Sequence, residues 1–332
     1  MSETRRYRVC GGILQSDLEF TELPGDEGDG PPTWTLSIPG GTAPQLDGEL
    51  LGEDAVTDTA TVRLIRGPGC LRLEFSDTGV FDVSEDGRTI RWYPLPDSDH
   101  QAAALDVIGR VLAVCFHAGG LVCLHGSAVA LSGGTIAFLA PKFHGKSTTA
   151  LALTRSGGRL VTDDMLPVEL TDPPRAHPGV HAVRLWEDSA ERVAGDDNIR
   201  EGVGGKLVVD HLAADARMDE VSELSAVYLL HPVIDEPDAR AVERELTSAV
   251  ESAMALVGQS KIGPLLGRSE APVLLDRSLR LSELVPVYRL RIARDFERLS
   301  EVVATLRGWH EDARNSTESD GPQDRSPEAE RG

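Results

Sequence analysis

Nine consecutive residues have the types and spacing to do chemistry: Ala140, Pro141, Lys142, Phe143, His144, Gly145, Lys146, Ser147 and Thr148. The apolar run 136–139 leads into them as a buried strand would, and Ala150, Leu151 and Leu153 give the following residues a helical face. A loop between a strand and a helix N-terminus points several backbone N–H groups at one spot, where the helix dipole is positive. Phosphate oxygens fit there. In such a loop Lys146 reaches the β- and γ-phosphates, the Ser147 hydroxyl sits on Mg²⁺, and Gly145 lets the backbone approach closely. Ala140 stands where these loops begin with glycine, a mild change at negative φ and a costly one otherwise. Pro141 removes one N–H. Lys142 and His144 either add charge to the phosphates or point to solvent.

The elements that must position this loop flank it. Residues 121–131 read as one strand carrying His125-Gly126-Ser127, and Ser132-Gly133-Gly134 as a tight turn, so His125 and the loop lie on adjacent antiparallel strands. Downstream, Gly157-Gly158 stops the helix and residues 159–161 form a second strand that delivers Thr162-Asp163-Asp164. A carboxylate there can complete a metal site. Neighbours on a strand point to opposite faces, so both aspartates reach one site only if the strand has ended by Asp163, as Met165-Leu-Pro167 suggests. Two close carboxylates repel, which predicts one raised pKa in the absence of metal.

The 332 residues exceed one ordinary domain, and 40% of them are hydrophobic. No run approaches the roughly 18 apolar residues of a membrane helix, and the N-terminus lacks a secretory apolar stretch. Cys10, Cys70, Cys115 and Cys123 have no metal spacing and read as small buried hydrophobes of a reducing cytoplasm. A net charge of −21 argues against nucleic acid and against an anionic membrane as partners.

Residues 1–97 form a β-rich domain with a hairpin turn at 84–88. Residues 98–310 form the nucleotide-binding domain, opening with a helix capped by Ser98 or Asp99 that runs to about Ala118. Strands follow at 183–186, 207–209, 224–230 and 287–292, helices at 239–257 and in part of 270–284. The Gly-rich stretch 196–205, ending at Lys206, reads equally as a closing loop or a plain surface loop. Asp295 caps a last helix through Trp309, and 311–332 should be a disordered tail.

His125-Gly126, the loop ending Gly145-Lys146-Ser147, the helix, and then Gly158-Arg-Leu-Val-Thr-Asp-Asp164 together resemble the HPr kinase/phosphorylase group. That resemblance implies an α/β (α+β) fold: the mixed, largely antiparallel P-loop sheet shared with phosphoenolpyruvate carboxykinase. The segments 7–17 and 286–296 look closer to the HPr-kinase-like proteins of ribosomal peptide clusters, lasso peptides included. The resemblance implies ATP and Mg²⁺ as cofactors, with Lys146 and Ser147 as phosphate and Mg²⁺ residues. One of Asp163 and Asp164 would be the base toward a seryl hydroxyl and the other would serve metal or lysine. Asp164 is taken with Ser147 as the metal pair, and His125 lies beside the reacting phosphate. The family usually carries an acidic residue where Thr148 stands, and Arg200-Glu-Gly-Val-Gly204 only faintly echoes a later family signature. The expected activity is that of a serine/threonine kinase acting on a peptide or small protein; assembly into a homo-oligomer stays open. Two alternatives remain: a nucleotide-binding regulatory module without turnover, for which the altered loop 140–144 speaks, and a small-molecule kinase or carboxykinase-like enzyme.

Overall fold

A computed structural model describes residues 4–193, 199–201, 207–209, 212–233 and 240–317. The N-terminal part is one eight-stranded sheet: β1 (Arg5–Val9), β2 (Gly12–Ser16), β3 (Trp34–Ser37), β4 (Glu49–Ala55), β5 (Thr61–Gly67), β6 (Cys70–Phe75), β7 (Gly79–Ser84) and β8 (Thr89–Pro94). Its order is β1-β2-β3-β8-β7-β6-β5-β4, with β3 parallel to both neighbours and the other pairs antiparallel. The strands alternate buried and exposed residues, as expected of a sheet covered on one face.

What covers it is the helical stretch α1 (His100–Asp106), a π-turn (Val107–Val111) and α2 (Leu112–Ala118). Asp99 is the cap, its carboxylate accepting from the Gln101 N–H at 2.8 Å. By length and mean hydropathy (1.3) this helix could cross a membrane, beyond what the sequence reading allowed. Here Val107, Val111, Leu112 and Val114 are fully buried in the same cluster as Leu14, Leu73, Phe81 and Trp92 of the sheet. Cys10, Cys115 and Cys123 are buried free thiols, and Cys70 is half-buried.

The second part is built on a larger sheet. Its strands are β9 (Val122–Leu124), β10 (Gly126–Leu131), β11 (Gly134–Leu139), β12 (Arg159–Asp163), β13 (Leu166–Glu169) and β14 (Arg175–Ala176). A small sheet, β15 (Val183–Leu185), β16 (Ile199–Glu201) and β17 (Leu207–Val209), stands beside it. The larger sheet is completed by β18 (Ser222–Val233), β19 (Val242–Leu246) and β20 (Val287–Ala293). β18 runs parallel to β11 and β20, while β10–β11, β10–β12, β9–β13, β13–β14, β14–β18 and β19–β20 are antiparallel. The chain is therefore a mixed α/β protein with a largely antiparallel second sheet.

Helices α3 (Lys146–Arg155), α4 (Glu187–Val193), α5 (Ala249–Gly258), α6 (Ala271–Leu284) and α7 (Leu299–Thr317) surround that sheet. On one face Leu151 and Leu153 of α3 and Leu306 of α7 bury against Ile136, Phe138 and Tyr228. On the other, Leu256 of α5 and Leu281 of α6 bury against Leu139, Val161 and Val227. A polar chain ties the two parts together: Arg66 donates to Glu270 at 2.7 Å, and His117 contacts the other Glu270 oxygen at 3.1 Å. Arg277 donates to His117 Nδ1 at 3.2 Å, so the ring proton sits on Nε2 and points to Glu270.

Three expectations change. Residues 121–131 are two strands broken at His125, because β9 pairs β13 while β10 turns to β11 and β12. Residues 242–246 form a strand, not part of a helix; Glu243 and Glu245 pair across the ladder with Arg291 and Arg289. The last helix runs to Thr317, past Trp309 and into the stretch expected to be disordered. The rest of that expected tail (318–332), Lys206, and residues 196–198 and 202–205 of the Gly-rich stretch lie outside the described residues.

Asp106 sits at the α1–π junction and accepts from the Thr78 hydroxyl at 2.6 Å. Burial pushes its carboxyl up to about 7, Asp77 adds to the rise, and the Thr78 bond and Arg110 oppose it. A folded-state pKa above the unfolded one gives stability that is full below the unfolded pKa and lost as pH rises through the folded value. The slope is about 1.4 kcal/mol per pH unit over that window. Asp106→Asn keeps the Thr78 bond and removes the titration. Thermal melts should show it more stable than wild type at pH 8 and no more stable near pH 4; an offset independent of pH would contradict this.

Candidate phosphate site

β11 empties into the loop at 140–145, and α3 starts at Lys146. Gly145 has φ 85°, so the residue that turns the loop into the helix must be one that tolerates left-handed backbone. Ala140 has no positive φ and is buried, which is why alanine is tolerated there. The antiparallel β10–β11 hairpin brings Gly126 opposite Leu139. A Cβ on Gly126 would lie 2.4 Å from the Leu139 side chain and 2.7 Å from the Phe138 carbonyl, so the glycine after His125 is required by close approach.

Lys146 is buried, and its ammonium donates to the loop carbonyls of Ala140 (2.7 Å) and Pro141 (3.2 Å). Lys142 is exposed and His144 half-buried, with His144 Nδ1 2.9 Å from the Lys142 carbonyl. Phe143 is exposed at φ 69°. Thr148 is half-buried in the first turn of α3.

Asp163, 5% exposed, closes β12 and faces the head of α3. Its Oδ1 accepts from the Ser147 hydroxyl at 2.9 Å and from the Ser127 hydroxyl at 2.5 Å; its Oδ2 accepts from the Arg184 N–H at 3.1 Å. Ser127 is also its cross-strand partner. The strand runs two residues beyond the expected 159–161 and takes in Asp163; it ends at Asp164, which has φ 93° and whose N–H donates to the Gly126 carbonyl at 3.0 Å.

Asp164 therefore turns to a different set of partners. Lys261 Nζ lies 2.6 Å from its Oδ2, and His125 Nδ1 lies 3.1 Å from its Oδ1 and from its own carbonyl. Both are acceptors, so Nδ1 carries the ring proton. Burial raises the Asp164 pKa, but Lys261 and His125 outweigh it and hold the carboxyl well below its usual range. The raised pKa expected from carboxylate repulsion is absent there, because a cation sits against Asp164. This depressed carboxyl adds stability above its unfolded pKa and loses it as pH falls through the folded value. The expected Ser147–Asp164 pair is likewise not what the fold assembles; Ser147 meets Asp163, since the backbone turn at Asp164 swings that side chain away.

Sequence reasoning missed Lys261. Its backbone runs beside β9: Lys261 N–H donates to the Cys123 carbonyl, and His125 N–H to the Gln259 carbonyl. The next residues, Ile262 and Leu265, are buried in the N-terminal core. A signal was there, because only Lys142, Lys146, Lys206 and Lys261 are lysines among 33 basic residues. Two of the four lie in the loop. Among the described residues no cluster of three or more His, Cys, Asp or Glu could hold a metal alone.

No family model matches the chain, and no curated protein matches it. Among solved structures it is similar to the HPr(Ser) kinase/phosphatase from Coxiella burnetii, at 11% identity and a TM-score of 0.31. The match covers 59% of this chain and 98% of that one. A likeness that distant bears on neither activity nor substrate.

A double-mutant cycle over Lys261→Met and Asp164→Asn, read by denaturant unfolding, measures the pair. Asp164 has a side chain 37% exposed, so screening should hold the coupling to about 1 kcal/mol. Strictly additive single effects would mean that the ion pair does not form in solution.

Proposed function

We propose that this chain is an ATP- and Mg²⁺-dependent kinase that phosphorylates a Ser or Thr hydroxyl. A ribosomally made precursor peptide, such as a lasso-peptide precursor, is the acceptor we favour. The observation that carries the reading is the Ser147 hydroxyl at 2.9 Å from a buried carboxylate, at the head of a helix that follows a phosphate-type loop. The donor set suits Mg²⁺, which takes oxygen ligands and is held by one or two protein groups plus substrate phosphates. Ser147 and Asp163 would hold it, in place of the hydroxyl–carboxylate hydrogen bond. When bound, Mg²⁺ would neutralise charge on the β- and γ-phosphates.

The chain's own groups supply the rest. Loop N–H groups cradle the phosphates, and Lys146 moves its ammonium from the Ala140 and Pro141 carbonyls to phosphate oxygen. The acceptor hydroxyl oxygen forms a bond to the γ-phosphorus while the bond to the β–γ bridging oxygen breaks. The hydroxyl proton passes to Asp164. A carboxylate kept ionised by Lys261 is a weak base, which suffices because in a loose transition state the proton leaves late and positioning dominates. In this reading His125 orients Asp164 through its Nδ1–H.

The test is incubation of the protein with labelled Mg·ATP and Ser- or Thr-containing peptides, with transfer read by mass spectrometry. Asp164→Asn should keep ATP affinity within a few-fold and lose at least ~100-fold in transfer. Asp163→Asn should weaken Mg²⁺ dependence and nucleotide binding together. Lys146→Met should abolish transfer with the fold intact by circular dichroism. If wild type binds Mg·ATP and phosphorylates no hydroxyl peptide, the kinase reading fails and a regulatory module takes its place.

A further inference from the structure

β19 is an edge strand: among the described strands it pairs with β20 alone. Two bonds fix which of its residues face that partner. Thr247 N–H donates to the Val287 carbonyl and Ala293 N–H to the Ala241 carbonyl, each between directly opposed residues. Bonded pairs recur at every second residue of an antiparallel ladder, so Glu243 and Glu245 also bond inward. The backbone N–H and C=O groups of Val242, Arg244 and Leu246 therefore point to the open edge, and no described group hydrogen-bonds to them there. An extended peptide backbone offers matching donors and acceptors at that repeat.

The side chains beside the edge select the peptide's charge. A cavity of about 420 Å³ lies along it, and its lining includes four arginines, Arg240, Arg244, Arg289 and Arg291, against two glutamates. Glu243 lies 3.5 Å from Arg291 and Glu245 lies 3.2 Å from Arg289. No described carboxylate offsets Arg240 or Arg244, in a chain whose net charge is −21. Arg244 is also held in place. Its guanidinium carbon lies 4.2 Å from the Trp309 ring centroid and 5.0 Å from that of Tyr288, and Nη1 donates to the Tyr228 hydroxyl at 3.0 Å. Further N–H donors remain on the fork, and a guanidinium ordered in advance loses less entropy on pairing.

A second copy of the chain fits this edge badly. Two-fold antiparallel pairing centred on Arg244 sets that arginine against itself and Glu243 against Glu245. Centring on Glu243 or Glu245 sets the central glutamate against itself. Like charges directly opposite destabilise a sheet, and edges use them to avoid their own kind.

We infer that the β19 edge binds an extended acidic peptide segment by strand addition. One carboxylate meets Arg244 and a second, four positions along, meets Arg240, with an apolar side chain between them opposite Val242. The ladder reaches Ala241, next to Arg240, and positions i and i+4 of a strand share a face. β19 is three strands from β11, which carries the phosphate loop, so binding here requires no nucleotide.

The experiment uses the full chain without nucleotide and the fluorescence anisotropy of labelled peptides. The probe is Glu-Thr-Val-Thr-Glu flanked by Thr, a pattern that reads the same in either strand direction. Wild type should bind it ~5-fold or more tighter than the peptide with Gln in place of both Glu, and a Lys version should bind weakest. Methylating alternate backbone nitrogens of the probe, in two complementary sets, separates strand addition from charge alone. One set should abolish binding and the other should leave it within about twofold. Arg240→Gln, at an exposed position, and Arg244→Gln should each shrink the Glu-over-Gln ratio by ~2-fold or more. Thermal melts check both folds, and Arg240→Gln decides alone where Arg244→Gln does not fold. Equal affinity for the Glu and Gln peptides overturns the inference, as does equal loss from the two methylated sets. Absence of probe binding up to about 1 mM overturns it as well. A wild-type dimer in sedimentation equilibrium that excludes the probe hands the edge to a second copy instead.

Discussion

The contact between the Ser147 hydroxyl and the Asp163 carboxylate is where separate pieces of the chain meet. Ser147 comes from the first turn of α3, Asp163 from the end of β12, and Ser127 from β10 between them. Arg184 brings in the small sheet through its backbone N–H. A carboxylate 5% exposed is costly to bury without hydrogen bonds, and three donors meet that cost here. Those donors fix the distance between the loop and the second strand, and with it any phosphate geometry.

The neighbouring carboxylate has the opposite arrangement. Asp164 is more exposed and its partners are charged or titratable: Lys261 and His125. Lys261 is held beside β9 and followed by residues buried in the N-terminal core. Gly52 and Gly267 let β4 and the 262–267 turn approach so closely that a Cβ on either would strike backbone. The N-terminal sheet is thus part of what aims a lysine at the site, and not only a neighbouring domain.

Much of the local machinery was legible in residue types. The run 136–139, Gly145, the Gly157-Gly158 stop and the Asp163-Asp164 pair carry strand, loop, helix and strand end on their own, because turns and caps depend on nearby residues. Pairing across distance was not. Which aspartate meets Ser147 depends on a backbone turn at Asp164 that places a non-glycine residue at φ 93°. Lys261 lies 97 residues from its partner and carries no motif. The strand 242–246 looked helical because its Glu and Arg residues favour helices in isolation; pairing with the Arg-bearing β20 overrides that propensity. The helix His100–Ala118 shows why apolar length alone does not identify a membrane span: its apolar face meets the N-terminal sheet.

The most direct test of the site is a crystal structure with Mg²⁺ and a non-hydrolysable ATP analogue. The account predicts the β- and γ-phosphates inside the 140–147 loop and Mg²⁺ at 2.0–2.1 Å, the usual Mg–oxygen distance, from Ser147 Oγ. Asp163 would bind the metal directly or through one water, with Asp164 still held by Lys261. Nucleotide bound elsewhere, or Mg²⁺ coordinated by Asp164 with Ser147 still bonded to Asp163, would contradict it.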